Sequence, residues 1–310
     1  MNQAVKRKRI PVHGVLLLDK PVGMTSNQAL GAVKRLFNAE KAGHTGTLDP
    51  FATGLLPLCF GEATKFAQDL LDADKSYEAT VHLGVMTDTG DTEGEVIATH
   101  AVDVSTEQIE AVLATLRGQI HQVPPMYSAL KRDGKPLYAY AREGVTLERE
   151  ARAVTIHALE LLAYQAPELR ISVTCSKGTY IRVLGEDIGK ALGCGAHLTA
   201  LRRTRIAQIE LAAAMSLEQL SAMSPEQLNQ QLQPVDALLS NFPRIDLNED
   251  LSHRFLQGQR LALGKAGVES AVSSGRLRVY GHQQQLLGTA QMQPGAVLAP
   301  ERLVSKIPSL

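Results

Sequence analysis

The sequence predicts an α+β protein: a mostly antiparallel mixed sheet flanked by helices, followed by a small all-β C-terminal module. Three observations carry this reading. Strand and helix periodicities do not alternate regularly, and strand-like runs adjoin with no helix between them, as at 154–164 and 169–175. Helices are nonetheless well signalled, because Thr25-x-x-Gln28 and Ser105-x-x-Gln108 have the spacing of a capping box. After about Leu217 the composition shifts, and the chain beyond 241 reads as short strands punctuated by Gly and Pro. The expected division is a domain over 1–240 and a module over 241–310.

The elements follow in order. Residues 12–18 read as a buried strand and 19–23 as a turn. The helix after Thr25 puts Leu30, Val33, Leu36 and Phe37 on one face and stops at Asn38. Ala63, Phe66, Ala67, Leu70 and Leu71 have the spacing of one further helix. Residues 76–84 alternate, with Tyr77, Ala79, Val81 and Leu83 on one side and Glu78, Thr80 and His82 on the other, as a half-buried strand does. An acidic loop follows at 87–94. Ile109, Val112, Leu113 and Leu116 define a helix stopped by Gly118, and 136–142 a short one ended by Gly144. Gly178 or Thr179 opens a helix that runs to Leu192, and a strand spans about 198–209. Two short helices come next, then the module, with strands at 277–280, 286–291 and 296–298.

Composition narrows the function. The chain has 310 residues, 44% of them hydrophobic and 21% charged, which suits a globular protein with a real core. No stretch approaches a membrane span, and the apolar run 15–18 is too short for a signal sequence. Cys59, Cys175 and Cys194 are scattered and form no CxxC pair, so neither a disulfide framework nor a zinc ribbon is indicated. Cys194 and His197 offer two metal ligands at most, and no metal is expected. A reducing cytoplasm fits. The 32 Lys+Arg balance 32 Asp+Glu, so a nucleic-acid partner would be met by a local basic surface rather than by net charge. Basic clusters occur at 6–9, 34–35, 131–132 and 202–205, and each by itself reads as a solvated face.

Two stretches stand out chemically. Gly43-His44-Thr45-Gly46-Thr47-Leu48-Asp49-Pro50-Phe51-Ala52-Thr53-Gly54 packs a carboxylate, an imidazole and three hydroxyls among three glycines. Glycines so close together are poor helix or strand material. Pro50 biases Asp49 toward an extended conformation. The stretch is either a plain turn or an ordered loop that presents Asp49. In Cys175-Ser176-Lys177-Gly178-Thr179-Tyr180-Ile181-Arg182, Arg182 falls in the first helical turn, where the macrodipole disfavours a cation. A nearby anion, a phosphate or a carboxylate such as Asp49, would explain it; a surface arginine is the plainer alternative. Tyr77 and Tyr180 could stack on an unpaired base, although Tyr77 also fits its strand's apolar face. His44 could be a loop-capping residue, and Asp88 and Asp91 solvated turn residues. The sequence has no Walker loop, no GxGxxG after a strand, no GxSxG and no HExxH. What remains is a cofactor-free site built on one loop carboxylate.

Taken together, these motifs resemble the TruB-type tRNA pseudouridine synthases. The resemblance runs through Gly14-Val15-Leu16-Leu17-Leu18-Asp19-Lys20-Pro21, the Asp49 stretch, Gly61-Glu62-Ala63-Thr64-Lys65, Met126-Tyr127-Ser128-Ala129-Leu130-Lys131, the stretch ending at Arg182, and Gly193-Cys194-Gly195-Ala196-His197-Leu198. It implies the pseudouridine synthase fold with a PUA-type RNA-binding module, and isomerisation of the tRNA T-loop uridine at position 55 without a cofactor. It implies Asp49 as the catalytic residue, His44 as a T-loop contact, Tyr77 and Tyr180 as partners of the flipped base, and Leu201 as pocket lining. It further implies that Arg182 pairs with Asp49, that Lys20 and Asp91 lie near the site, and that the protein is a monomer with tRNA as partner. Phe51 stands where the family more often has Leu.

The implied chemistry is coherent. The N1–C1′ bond must break, the uracil must turn, and C5 must join C1′, with no electrons exchanged. A carboxylate can serve as nucleophile or base. A base stacked in a folded loop must be extruded first, and an adjacent arginine would keep Asp49 ionised. Two rivals share the scaffold: a non-enzymatic RNA-folding factor, and a hydrolase releasing free uracil. The second would need another carboxylate, for which Asp88 and Asp91 are the candidates.

Overall fold

The computed structural model describes residues 8–266 and 273–305. Lys6 and Arg7 of the N-terminal basic cluster lie outside them. A ten-stranded sheet forms the larger part. Its path runs Met215–Ser216, Gly14–Lys20, Thr53–Phe60, Ala196–Ile206, Lys75–Leu83, Glu168–Cys175, Arg152–Gln165, Gly118–Gln122. Ala42–His44 and Ile209–Glu210 pair beside this path. Pairing is antiparallel except where Met215–Ser216 meets Gly14–Lys20 and where Ala196–Ile206 runs beside Thr53–Phe60. The second parallel contact is the central seam. There Arg203 opposes Gly54, whose φ is +101°, and a Cβ on Gly54 would sit 2.3 Å from the Arg203 carbonyl oxygen. Only glycine fits that approach.

Strands Gly14–Lys20 and Thr53–Phe60 are buried on both faces, hence their unbroken apolar runs. Leu16, Leu18, Leu56 and Leu58 pack under the helix Ser26–Leu36, whereas Val15, Leu17, Leu55 and Cys59 pack on the other side against Phe66 and Leu70. Lys75–Leu83 alternates as expected. Tyr77, Ala79, Val81 and Leu83 join Leu184 and Ile188 of the helix Ile181–Ala191, and Ile109 and Leu113 of the helix Thr106–Thr115. Thr25 and Ser105 close full capping boxes, and Asn38 leaves its helix at φ 48°.

Several boundaries differ from the sequence reading. Asp19 and Lys20 belong to the first strand rather than to the turn. The helix expected over 63–71 divides into a 3-10 turn, Gly61–Phe66, and a short α-helix, Ala67–Leu71. Phe66 leaves helical geometry at the join while its ring is fully buried. The helix expected from 178 begins at Ile181, because Tyr180 is extended and its N–H donates to Gln122 Oε1 at 3.0 Å. Ala207, at φ 50°, turns the chain and ends Ala196–Ile206. Gly43 and Gly54 lie in strands, against the expectation that glycines would keep the stretch out of the sheet. Arg203 is buried, not part of a solvated face, since strand alternation turns it inward.

The C-terminal sheet has five strands in the order Arg244–Asp246, Gly275–Tyr280, Leu286–Gln293, Val297–Leu303, Leu261–Ala262. The helix Glu249–Leu256, unforeseen in the sequence, closes its core with Leu251 and Phe255. This sheet docks on the segment 61–71. Arg276 pairs with Asp69 and with Glu301 (2.5 Å), and Lys65 Nζ donates to the Leu303 carbonyl at 2.8 Å. No helix of the described residues is long and apolar enough to cross a membrane.

Candidate active site

The 43–54 stretch spans a hairpin, its loop running from Thr45 to Ala52. Its stems pair Ala42 with Phe60, Gly43 with Cys59 and His44 with Leu58. Three side chains grip the loop from beneath. Ser26 Oγ donates to the Leu48 carbonyl (3.0 Å) and accepts from the Leu48 N–H (2.8 Å). Lys20, fully buried, donates to the carbonyls of Pro21 (2.8 Å), Met24 (2.6 Å) and Pro50 (3.4 Å). Arg203 donates to Gly46 O (2.9 Å) and Leu55 O (2.8 Å). The backbone adds Gly23 N–H to Pro50 O, at 2.8 Å, and Ala52 N–H to Asp49 O, at 3.1 Å.

Asp49 is thereby presented at a cavity of about 630 Å³, lined also by His44, Thr47, Tyr127, Arg142 and Arg182. Its Oδ2 lies 3.0 Å from Arg182 Nε, and its side chain keeps 37% of its surface open while that of Arg182 keeps 5%. Arg182 also meets Asp91 Oδ2 at 3.3 Å and donates to the carbonyls of Thr89 (2.9 Å) and Tyr127 (2.5 Å). The cation at the helix start is thus answered by two carboxylates and two carbonyls.

Asp91 is closed off. Its Oδ1 accepts from Thr89 Oγ1 (2.6 Å) and from the Glu93 N–H (2.9 Å). Tyr77 and Leu201 sit in the buried cluster beneath the loop with Leu48, Phe51 and Ala52. Tyr180 caps the Arg182 helix and is half-buried. His44 lines the cavity with its Nδ1 buried and unpartnered. Lys20 ties the 21–24 turn to the loop at Pro50. Phe51, which stands where the family more often has Leu, is buried in the same cluster.

Burial pushes the Asp49 carboxyl above the usual carboxylate range; Arg182 opposes this, Asp91 reinforces it, and Lys20 opposes it in turn. The expectation that Arg182 simply lowers it is corrected, because desolvation outweighs the ion pair. Burial likewise lowers Lys20 to about 8, lowers His44 with help from Arg203, and raises the phenols of Tyr77 and Tyr180. Among the described residues no cluster of His, Cys, Asp and Glu could hold a metal ion.

Sequence reasoning missed Ser26, Gln122 and Arg203. Ser26 follows an N-cap and read as helix start, whereas Arg203 was hidden in a run of arginines. Strand alternation was the signal available for Arg203.

Family models match most of the chain: the TruB family pseudouridylate synthase N-terminal domain over 34–181, the tRNA pseudouridylate synthase B C-terminal domain over 182–240, and the pseudouridine synthase II TruB C-terminal over 243–304. The tRNA pseudouridine synthase B of Burkholderia mallei (strain NCTC 10247) is 59% identical over 297 residues, 96% of this chain and 98% of that protein. That of Ralstonia nicotianae (strain ATCC BAA-1114 / GMI1000) is 58% identical over 311 residues, 98% of each. The solved archaeal box H/ACA sRNP Nop10-Cbf5 complex superposes at TM-score 0.70 with 26% identity, covering 94% of this chain and 86% of that one. An H/ACA RNP bound to a substrate RNA containing 2'-deoxyuridine, at TM-score 0.71 and 24% identity, has the same fold.

Fold and matches define the class as the pseudouridine synthases, which are isomerases. Within that class the chain belongs to the TruB family.

Proposed function

We propose that this TruB-family synthase acts on tRNA and converts the T-loop uridine at position 55 to pseudouridine, with Asp49 as the reacting carboxylate. One observation carries the reading: Asp49 is the carboxylate held 3.0 Å from a sealed arginine while itself open to the cavity. The names of the relatives support tRNA as substrate. The reaction balances without a cofactor, since the N1–C1′ pair moves to C5–C1′, the C5 hydrogen leaves to solvent and N1 gains a proton.

In this reading the uridine is extruded into the cavity. Tyr77, Tyr180 and the Leu201 wall replace its lost stacking, and His44 meets the RNA at the rim. Arg182 orients Asp49, Asp91 holds Arg182, and Lys20 holds the loop. The region 1–240 is the catalytic domain and 241–310 the RNA-binding module, in a monomer working in the cytoplasm. A uracil-releasing hydrolase is less well supported. Of its two candidate second carboxylates, Asp91 has both oxygens engaged, and Asp88 lines the cavity with Oδ1 accepting from the Glu95 N–H at 2.8 Å.

The test is tritium release from C5-tritiated uridine in a T-arm stem-loop. Release by the native chain and none by Asp49→Asn, with RNA binding kept in both, supports the reading. Free uracil among the products, or binding without release by the native chain, overturns it.

A further inference from the structure

Arg203 is among the largest fully buried side chains, with 1% of its surface exposed. Arg182 and Arg202 both pair with carboxylates, whereas among the described residues Arg203 forms no ion pair. Its guanidinium donates to two backbone carbonyls, Nε to Leu55 O at 2.8 Å and Nη2 to Gly46 O at 2.9 Å, and also meets the Tyr77 phenol. Those carbonyls lie on either side of Asp49 in the chain. Gly46, at φ +72°, is packed so closely that an added Cβ would lie 3.3 Å from Nη1. A buried cation without a partner carboxylate carries a large desolvation cost. Apolar residues would fill this space without that cost.

We propose that Arg203 is a positioning residue for the synthase reaction: it clamps both arms of the Asp49 loop and holds its guanidinium against the arm that carries His44. The proposal rests on the reading of Asp49 as the reacting carboxylate. The geometry gives the clamp, because a planar fork fixes two carbonyls in a way that an ammonium cannot. The charge acts on the same arm, since Gly46, which the guanidinium holds, lies two residues from His44. His44 has its Nδ1 buried and without a partner. Burial first, and the Arg203 charge second, disfavour its protonation. A neutral ring keeps its lone pair on one nitrogen and its N–H on the other. The loop's own charged neighbour is Asp49, and the facing wall of the cavity carries Asp88, Glu93, Glu95, Arg142 and Arg182. Behind Arg203 itself stand Lys20, Lys75 and the phenol of Tyr77. Two of these are further cations, and Asp72 and Asp74 stand near Lys75.

Arg203→Lys keeps the charge and loses the fork; Arg203→Met keeps the stem and loses both. In single-turnover tritium release, each variant is expected to slow about 100-fold, the scale of a misplaced reacting group, with the RNA dissociation constant unchanged. The His44 ring C–H resonance is followed against pH by NMR. Its midpoint is expected below 6.5 in the native chain, still low in Arg203→Lys, and raised in Arg203→Met. Unaltered rates in both variants overturn the proposal. A native His44 midpoint at or above 6.5 also overturns it, and that measurement needs no variant to fold. If Asp49→Asn releases tritium normally, the reading of Asp49 fails, and the His44 titrations still decide whether Arg203 acts on the loop.

Discussion

Two arginines in this molecule each bridge a pair of carboxylates, and they do opposite things. Arg182 joins Asp49 to Asp91 at the cavity; Arg276 joins Asp69 to Glu301 where the C-terminal sheet docks. The electrostatics match closely. In both, burial pushes the aspartate's carboxyl up, the arginine opposes it, and the second carboxylate reinforces it. Exposure is reversed. At the cavity the arginine side chain is 5% exposed and Asp49 37%. At the junction Asp69 is 9% exposed and Arg276 20%. The same three charges present a carboxylate to a cavity or pin two parts of the fold together according to which partner faces outward. A perturbed pKa alone does not separate them; access to a cavity does.

Four measurements probe that contrast. The largest effect is expected from Asp49→Asn, which lowers tritium release by about 10⁴-fold or more while RNA binding survives. Next comes Arg182→Met. It strands Asp91, 3% exposed, without its cation, so urea unfolding is expected to show a loss of about 3–5 kcal/mol along with the activity. Asp69→Asn weakens the junction instead. Its expected cost is about 1–3 kcal/mol, read by calorimetry as the two parts melting separately, with release from a short T-arm hairpin unchanged.

The smallest effect concerns pH. The folded-state pKa of Asp49 is raised above its ordinary 3.8, so folding favours the protonated form. The stability it contributes is full below 3.8 and is lost as pH rises through the raised value. Asp49→Asn, which cannot ionise, is therefore expected to be at least as stable as the native chain at neutral pH. The gap is expected to close on acidification, and comparing urea midpoints from pH 4 to 7 tests it.

Much of this was legible in the residues. The alternation over 75–83 and the capping boxes at Thr25 and Ser105 follow from local patterns with a physical cause, whereas the pairing of Asp49 with Arg182 was left open by the helix start and implied by the family resemblance. What escaped reading is non-local. Arg203 looks like one of three surface arginines until the parallel seam places it against Gly54. Ser26 reads as a helix residue until Leu48, 22 positions away, comes to meet it. The sign of the Asp49 shift was read the wrong way, because burial is a property of the assembled cavity. The helix Glu249–Leu256 was missed for a different reason, since two turns amid short strands give little periodicity.

The hairpin that carries Asp49 has one more consequence. With His44 paired to Leu58, and the Thr45 N–H on the Pro57 carbonyl at 3.1 Å, the ends of the loop are tied before any RNA arrives. The entropy of closing it is lost once, when the chain folds. Calorimetry of RNA association should therefore show a heat-capacity change set by the surfaces that meet, with no added contribution from ordering this segment.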